Sequence, residues 1–277
     1  MFSSFLCPTE IHLGIGSLKK VEEIVMSEGF KKALIVTDKG IRNAGIVAPL
    51  EKLLQEVNLA FSIFDGVEPN PTQHLVEGGF AFLQQEAPDV LIAIGGGSSI
   101  DTAKAFGILA TNEGRIADFK GVGKVEIPIL PVIAIPTTAG TGSEVTTVTV
   151  LTDTEQKVKY SIGGRNVAAR WAIIDAELTV TMPPHVTAAT GIDALTHAVE
   201  SYTSKLSYSV TDALAREAIS LIGRHLRTAV YQGENLEARS KMLEASLIAG
   251  LAFNNAKLGF AIRCATRWAR ILISHMG

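Results

Sequence analysis

The sequence predicts an α/β domain built on a mostly parallel sheet, followed by an all-α domain. Before residue 110, short apolar runs alternate with amphipathic helical patterns, which is typical of strands joined by crossover helices. After the Met182–Pro183–Pro184 turn, the pattern is helical as far as residue 261 and contains no convincing strand. We therefore expect one domain over residues 1–180 and a helical domain over residues 181–277.

The individual elements follow from the spacing of apolar residues. Residues 5–15 alternate loosely and predict an edge strand or a hairpin. Strands are expected at 32–37, 60–64, 90–94, 131–135 and 172–175, those at 32–37 and 90–94 buried, and a hairpin at 146–152 and 157–162. Helices are expected at 17–27, 47–56, 74–86 and 101–110, where apolar residues recur at helical spacing.

Composition limits the classes of partner. Of the 277 residues, 47% are hydrophobic and 19% charged, which is enough for a substantial core. The net charge of −3 argues against a nucleic-acid partner, and no segment has the roughly 20 apolar residues of a membrane span. The N-terminus lacks a signal-peptide pattern, and Cys7 and Cys264 have no metal or disulfide spacing. We expect a cytoplasmic protein with neither a nucleic-acid nor a membrane partner.

The stretch Val90–Lys104 carries the clearest functional signal. Its apolar run ends at three consecutive glycines, Gly95–Gly97, and two serines then precede a helical pattern. Glycine lets a ligand approach the backbone, and the amides and dipole at a helix N-terminus attract anions. A tight strand–helix turn without a ligand is the alternative, but three glycines and two hydroxyls exceed what such a turn needs. We therefore predict phosphate binding, with a pyrophosphate as the expected occupant.

Two other polar segments are placed where they could complete a nucleotide site. Residues 136–146 follow an apolar strand and offer five hydroxyl side chains, although alone they could equally form a threonine-rich surface loop. Asp38 ends an earlier strand. In the common Rossmann fold the acidic residue follows the glycine loop by about 20 positions, whereas here it comes first. The winding therefore differs, but both groups could still meet where the strand ends gather.

The helix predicted over residues 188–202 carries a candidate metal-binding pair. Asp193 and His197 are four positions apart and so lie one turn apart on the same helix face. Such a pair can hold a divalent metal, and burying a lone aspartate is costly unless it is paired or bound to a cation. A simple Asp–His hydrogen bond is the alternative, which these two residues alone favour.

Five motifs together resemble the iron-containing alcohol dehydrogenases: GGGSSIDTAK, PTTAGTGSE, MPP, GIDALTHAVESY and LAFNNAKLGFA. The resemblance covers residues 5–261 and implies a Rossmann-like, dehydroquinate synthase-like architecture. It further implies that the first domain binds NAD(P) and that the helical domain holds one divalent metal, usually Fe²⁺ and sometimes Zn²⁺. The implied reaction is hydride transfer between a small alcohol and its aldehyde or ketone, and the intact family member is expected to be a homo-oligomer, most simply a dimer.

The resemblance also assigns roles to individual residues by motif. Asp193 and His197 would be two of four metal ligands and hence the catalytic pair. Asp38 would lie near the adenosine ribose and favour NAD over NADP, because a carboxylate repels a 2′-phosphate. The other implied cofactor-binding residues are Asn70 on the adenosine side, Gly96, Gly97, Ser98 and Asp101 by the pyrophosphate, and Thr137, Thr138, Thr141, Ser143 and Lys159 along the nucleotide.

After Ala261 the sequence departs from the family pattern. Ile262 stands where the third metal ligand is expected, Thr266 where the following histidine is expected, and His275 one residue before the place of the last ligand. A change of reading frame after Ala261 would explain this atypical tail, 262–277, because reading one base earlier can restore two histidine codons. We therefore expect a truncated or frame-altered chain whose helical metal-binding domain is partial.

This departure leaves the activity open. With two of four ligands replaced or displaced, metal affinity should fall steeply, so we expect a weakly active or inactive alcohol dehydrogenase. The alternatives are a nucleotide-binding remnant without catalysis, and a sister enzyme such as a glycerol dehydrogenase or a maleylacetate reductase.

Overall fold

A computed structural model of the chain describes residues 3–258. The predicted atypical tail, with Ile262, Thr266 and His275, lies outside the described residues. The strands of the described part are β1 (Glu10–Leu13), β2 (Lys32–Val36), β3 (Ala60–Phe64), β4 (Val90–Gly95), β5 (Gly121–Val122), β6 (Val132–Pro136), β7 (Val148–Asp153), β8 (Val158–Gly163) and β9 (Trp171–Ile174). Its α-helices are α1 (Lys20–Ser27), α2 (Lys39–Asn43), α3 (Ala48–Glu56), α4 (Gln73–Glu86), α5 (Gly97–Thr111), α6 (Pro184–Tyr202), α7 (Ser209–Tyr231) and α8 (Leu236–Ala256).

Six of these strands form one parallel sheet in the order β1-β9-β6-β4-β2-β3. This arrangement confirms the predicted mostly parallel α/β sheet, and residues 5–15 supply a single edge strand instead of a hairpin. The predicted hairpin is the antiparallel pair β7 and β8, which belongs to a separate three-stranded sheet with β5. The two-residue strand β5 was not predicted, since it is too short to show an alternating pattern.

Apolar side chains cover both faces of the six-stranded sheet. One core cluster joins α4 and α5 to the sheet through residues such as Val76 and Phe106. A second cluster on the other face contains Val21 of α1 and Leu50 of α3. All six residues of the central strand β4 are buried, which explains why its sequence is continuously apolar instead of alternating.

Helix α5 starts earlier than the sequence indicated. It begins at Gly97, with Gly96 as the N-cap residue, whereas the apolar pattern suggested a start at Asp101. The first amides of a helix have no carbonyl partner four residues earlier, so glycine and serine are tolerated in the first turn. These residues lack the apolar spacing from which a helix is predicted, and the predicted start therefore comes too late. The glycine motif therefore lies in the opening turn of α5, where the first amides of a helix have no partner within the helix.

Helices α6, α7 and α8 pack against each other around residues such as Leu221 and Leu243. The same cluster contains Val145 and Ile174 of the α/β part, so the division of the chain near residue 180 stays a prediction. None of the helices between residues 3 and 258 combines the length and apolarity that crossing a bilayer requires.

Candidate functional site

The carboxyl ends of β2 and β4 form the point at which the sheet reverses its winding. From β2 the chain continues to β3 on one side, and from β4 to β6 on the other, with α3 and α5 on opposite faces. Open α/β sheets bind ligands in the crevice outside such a point. Asp38 follows β2, and a β-carbon added to Gly95 at the end of β4 would lie 3.8 Å from Asp38 Oδ2. The acid and the glycine turn therefore do meet in space.

The three glycines of the turn differ in what would prevent a larger residue at each position. Gly95 has a φ of +153°, and a β-carbon there would overlap Ser99. A β-carbon on Gly97 would lie 2.8 Å from the Cγ2 and Oγ1 atoms of Thr141. Gly96 has a φ of −74° and would meet Thr138 only at an ordinary 3.5 Å. Protein contacts thus account for Gly95 and Gly97, and Gly96 is the position at which a close ligand would explain the missing side chain.

The segment 136–146 packs closely against α6 and α8 and is not a free surface loop. A β-carbon on Gly140 would lie 2.8 Å from Cβ of Thr190 in α6, and one on Gly142 would lie 2.7 Å from Cα of Gly250 in α8. Its backbone is also tied to the glycine turn, because Thr137 N donates to Gly95 O at 2.9 Å. The predicted residues Thr138 and Thr141 stay partly exposed and lie beside Gly96 and Gly97.

Buried hydroxyl groups without partners lie at the same edge of the sheet. The Oγ atoms of Thr37, Ser99 and Thr137 are buried and make no hydrogen bond within the described part of the chain. Thr37 directly follows β2, Ser99 lies in the first turn of α5, and Thr137 directly follows β6. Buried hydroxyls are normally hydrogen-bonded, so three unsatisfied ones at a switch point fit a site that receives a polar ligand or water.

Asn70, Ser98 and Lys159 come together beside the glycine turn. Asn70 N donates to Ser98 Oγ at 3.3 Å, and Lys159 Nζ donates to Asn70 Oδ1 at 2.6 Å. Burial raises the pKa of Asp101 in α5 and of Asp193 in α6, and the nearby Lys159 ammonium offsets a small part of both increases. Lys159 therefore lies in electrostatic reach of both the nucleotide half and the metal half of the predicted site.

Asp101 and Ser143 bind each other directly. Ser143 Oγ donates to Asp101 Oδ1 at 2.6 Å, and Val150 N donates to Asp101 Oδ2 at 3.2 Å. The Asp101 carboxylate thus ties α5 to the segment that follows β6. Its predicted place by the pyrophosphate stays a prediction.

Asp193 and His197 face each other on α6, as their spacing predicted. Asp193 Oδ1 is 3.8 Å from His197 Nε2, which is too long for the direct hydrogen bond that was the alternative to metal binding. Burial raises the pKa of Asp193, and His197 Nδ1 is buried without a hydrogen-bond partner among the described residues. The Phe253 ring lies 4.6 Å from the His197 ring.

This pair fits half of a metal site. A carboxylate oxygen and an imidazole nitrogen are ligands that both Fe²⁺ and Zn²⁺ accept. Between residues 3 and 258, however, no group of three or more His, Cys, Asp or Glu side chains is placed to hold a metal ion. Any further His, Cys, Asp or Glu ligand must therefore come from outside that range.

Three buried polar residues around the site were not identified from the sequence. Lys104 Nζ donates to backbone carbonyls of the segment after β6, and Asn254 Oδ1 accepts from Thr147 N and Oγ1, both at 3.0 Å. Arg239 joins α8 to the start of α6 through Thr187 Oγ1 at 2.7 Å and Met182 O at 3.0 Å. The sequence feature that could identify such residues is a charged or amide side chain within an apolar helical pattern. A group of this kind is buried only when it has hydrogen-bond or charge partners.

Family models match most of the chain. The model "Iron-containing alcohol dehydrogenase" matches residues 8–176, and the model "Fe-containing alcohol dehydrogenase family, C-terminal" matches residues 187–266. A choline dehydrogenase of Bacillus subtilis is 47% identical over 94% of this chain and 65% of its own length. An NAD-dependent methanol dehydrogenase of Bacillus methanolicus is 45% identical over 93% of this chain and 68% of its own length.

Solved structures agree with these sequence matches. A 1,3-propanediol oxidoreductase superimposes with a TM-score of 0.91 and 46% identity, over 94% of this chain and 68% of its own. A sulfoacetaldehyde reductase of Bifidobacterium kashiwanohense, solved in complex with NAD⁺, gives a TM-score of 0.88 and 35% identity, over 96% of this chain and 70% of its own. The chain spans 65% of the length of the choline dehydrogenase and 68% of that of the methanol dehydrogenase. It belongs to the iron-containing alcohol dehydrogenase family.

Proposed function

We propose that the chain binds NAD at the switch point and belongs to an enzyme that interconverts a small alcohol and its aldehyde or ketone. The observation that carries the proposal is the glycine turn after β4: α5 begins there with no side-chain cap, and Asp38 lies beside Gly95. The names of the relatives support NAD and a small alcohol, since they include an NAD-dependent methanol dehydrogenase and a 1,3-propanediol dehydrogenase. We further expect a cytoplasmic homo-oligomer.

In this proposal each part of the crevice has a role in binding. The amides of Gly96 and Gly97 hold the diphosphate, and Thr138 and Thr141 line the nucleotide beside them. Asp38 accepts hydrogen bonds from the adenosine ribose and disfavours a 2′-phosphate, which selects NAD over NADP.

Asp193 and His197 are proposed as two ligands of the metal. The metal is expected to be Fe²⁺, with Zn²⁺ accepted by the same atoms. A divalent ion held by Asp193 and His197 would supply Lewis acidity toward the substrate oxygen, and NAD held at the glycine turn would supply hydride exchange with the substrate carbon. Lys159 lies where the two halves meet and donates a hydrogen bond to Asn70 Oδ1.

The test is a titration of the complete chain with NADH, followed by fluorescence, and then initial rates of NAD⁺ reduction with short alcohols and added Fe²⁺ or Zn²⁺. Saturable binding together with metal-dependent reduction supports the full proposal. A chain that does not enhance or shift NADH fluorescence at any concentration contradicts it.

Nucleotide binding without turnover is the second candidate. It is favoured by the finding that, between residues 3 and 258, no third His, Cys, Asp or Glu side chain joins Asp193 and His197 to hold a metal ion. A two-ligand site holds a divalent ion weakly, because structural and catalytic sites use three or four protein ligands. NADH binding with alcohol-dependent rates at background, even with excess metal, would select this candidate over the first.

A further inference from the structure

The least exposed charged group near the site is Lys104. It lies on α5, seven positions after Gly97, and its side chain is completely buried. Its Nζ donates to three main-chain carbonyl oxygens: Ser143 at 2.6 Å, Thr146 at 2.8 Å and Val148 at 3.0 Å. An ammonium group has three protons, so each proton has its own carbonyl acceptor.

The segment held by Lys104 is the one that lines the proposed nucleotide site. Residues 143–148 continue directly from Thr138 and Thr141, which lie against Gly96 and Gly97. On the opposite side the segment is held by α8, where Asn254 accepts from Thr147. Lys104 and Asp101 therefore both bind the segment to the glycine-turn helix, Lys104 through three backbone carbonyls and Asp101 through the Ser143 hydroxyl, and Asn254 binds it to the helical part.

We propose that Lys104 is a positioning residue, whose ammonium group holds the 143–148 backbone so that Thr138 and Thr141 are presented to the diphosphate beside Gly96. This inference rests on the proposed function and adds to it a residue that does not touch the nucleotide. A side chain bound to three carbonyls of a segment 39–44 positions away fixes the segment more tightly than local turn bonds do.

Charges around Lys104 make the tie sensitive to pH. Burial lowers the pKa of Lys104 to about 8, while Asp101 on its own helix and Glu144 in the held segment act to raise it. Burial also raises the pKa of Glu144 to about 7. A neutral amine has only two protons for three carbonyls, so the segment loses one bond and the charge assistance of the others above that pH.

The main test compares Lys104→Met, which keeps the aliphatic stem, with Thr111→Val at the far end of α5. The Thr111 hydroxyl bonds to Gly107 O in its own helix, so that variant controls for loss of a helical hydrogen bond. Without nucleotide, hydrogen exchange of amides 143–148 should be faster in Lys104→Met than in the wild type, and unchanged in Thr111→Val.

The Kd for NADH should rise about tenfold in Lys104→Met and stay unchanged in Thr111→Val. Binding is measured at a temperature at which circular dichroism shows that the wild type and both variants are folded.

The pH profile of the wild-type chain is the second test and needs no variant to fold. If the neutral amine binds tenfold more weakly, the Kd for NADH should rise about fivefold from pH 7 to pH 9. Lys104→Met should be flat over that range. Glu144→Gln should keep the rise but move its midpoint to lower pH, since the Glu144 carboxylate raises the pKa of Lys104.

The possible outcomes distinguish a failure of the proposed role of Lys104 from a failure of the proposed NAD binding. If the wild-type chain binds NADH and Lys104→Met binds it with the same Kd, the proposed role of Lys104 is wrong, and NAD binding is unaffected. The same conclusion follows if the Kd of the wild-type chain does not change with pH. Unchanged exchange of amides 143–148 overturns it without reference to nucleotide. A wild-type chain that fails to bind NADH removes the proposed function, and the inference with it.

Discussion

Replacing Gly96 with alanine should weaken NADH binding and leave the folded chain almost as stable as before. The backbone of Gly96, with φ −74° and ψ −173°, is one that alanine adopts, and the nearest side-chain atoms would be 3.5 Å away in Thr138. As an N-cap, alanine is worse than glycine by about 0.5 kcal/mol. Alanine also restricts the unfolded chain, which raises the free energy of unfolding by about 0.4–1 kcal/mol. The two effects nearly cancel, so the free energy of unfolding should change by less than about 0.5 kcal/mol.

The loss of binding should be much larger than the change in stability. A β-carbon at Gly96 occupies the space through which a diphosphate would reach the amides that open α5. We expect the Kd for NADH to rise at least about tenfold, which is 1.4 kcal/mol. Urea unfolding measures the stability, and NADH fluorescence measures the affinity.

Gly97→Ala is the contrasting variant, because its β-carbon would lie 2.8 Å from Thr141. Overpacking of this kind costs about 1–3 kcal/mol, and the double variant Gly97→Ala/Thr141→Ala should recover most of that stability. Gly78→Ala is the neutral control, since it lies inside α4 with open space around it and should stabilise slightly. Unchanged NADH affinity in Gly96→Ala would refute the idea that a ligand explains this glycine.

Three other results are expected. Asp38→Asn keeps the helix cap on Ile41 N but removes the charge, so the preference for NADH over NADPH should fall about tenfold in parallel titrations; an unchanged ratio would remove Asp38 from the ribose site. Asn254→Leu leaves the Thr147 amide and hydroxyl unpaired and should lower the free energy of unfolding by about 2–3 kcal/mol in urea; a loss below about 0.5 kcal/mol would show that this tie is dispensable. Asp193→Asn should weaken Zn²⁺ binding at least about tenfold by calorimetric titration, and equal binding by the variant and the wild type would argue that the ion binds elsewhere.

Local patterns were sufficient for most of the sheet. The continuous apolar run of β4 and the glycines after it are properties of adjacent residues, so burial and turn chemistry predicted both. The meeting of Asp38 with the glycine turn was also predictable, because the carboxyl ends of parallel strands gather at one edge.

Contacts between distant parts of the chain were not predictable in the same way. Lys104 and its carbonyl partners are 39–44 positions apart, and Asn254 and Thr147 are 107 apart, so neither tie leaves a periodic pattern. The glycine at 97 has a similar explanation, since the Thr141 side chain that excludes a β-carbon comes from another loop. Part of the glycine pattern that predicts a ligand therefore reflects close packing between two loops.

A crystal structure of the chain grown with NAD⁺ would show directly whether the cofactor binds at the glycine turn. The diphosphate should lie within hydrogen-bond distance of the amides at the start of α5, with the adenosine ribose beside Asp38. Electron density for NAD⁺ elsewhere on the chain, or a crevice that stays empty at saturating NAD⁺, would contradict the account.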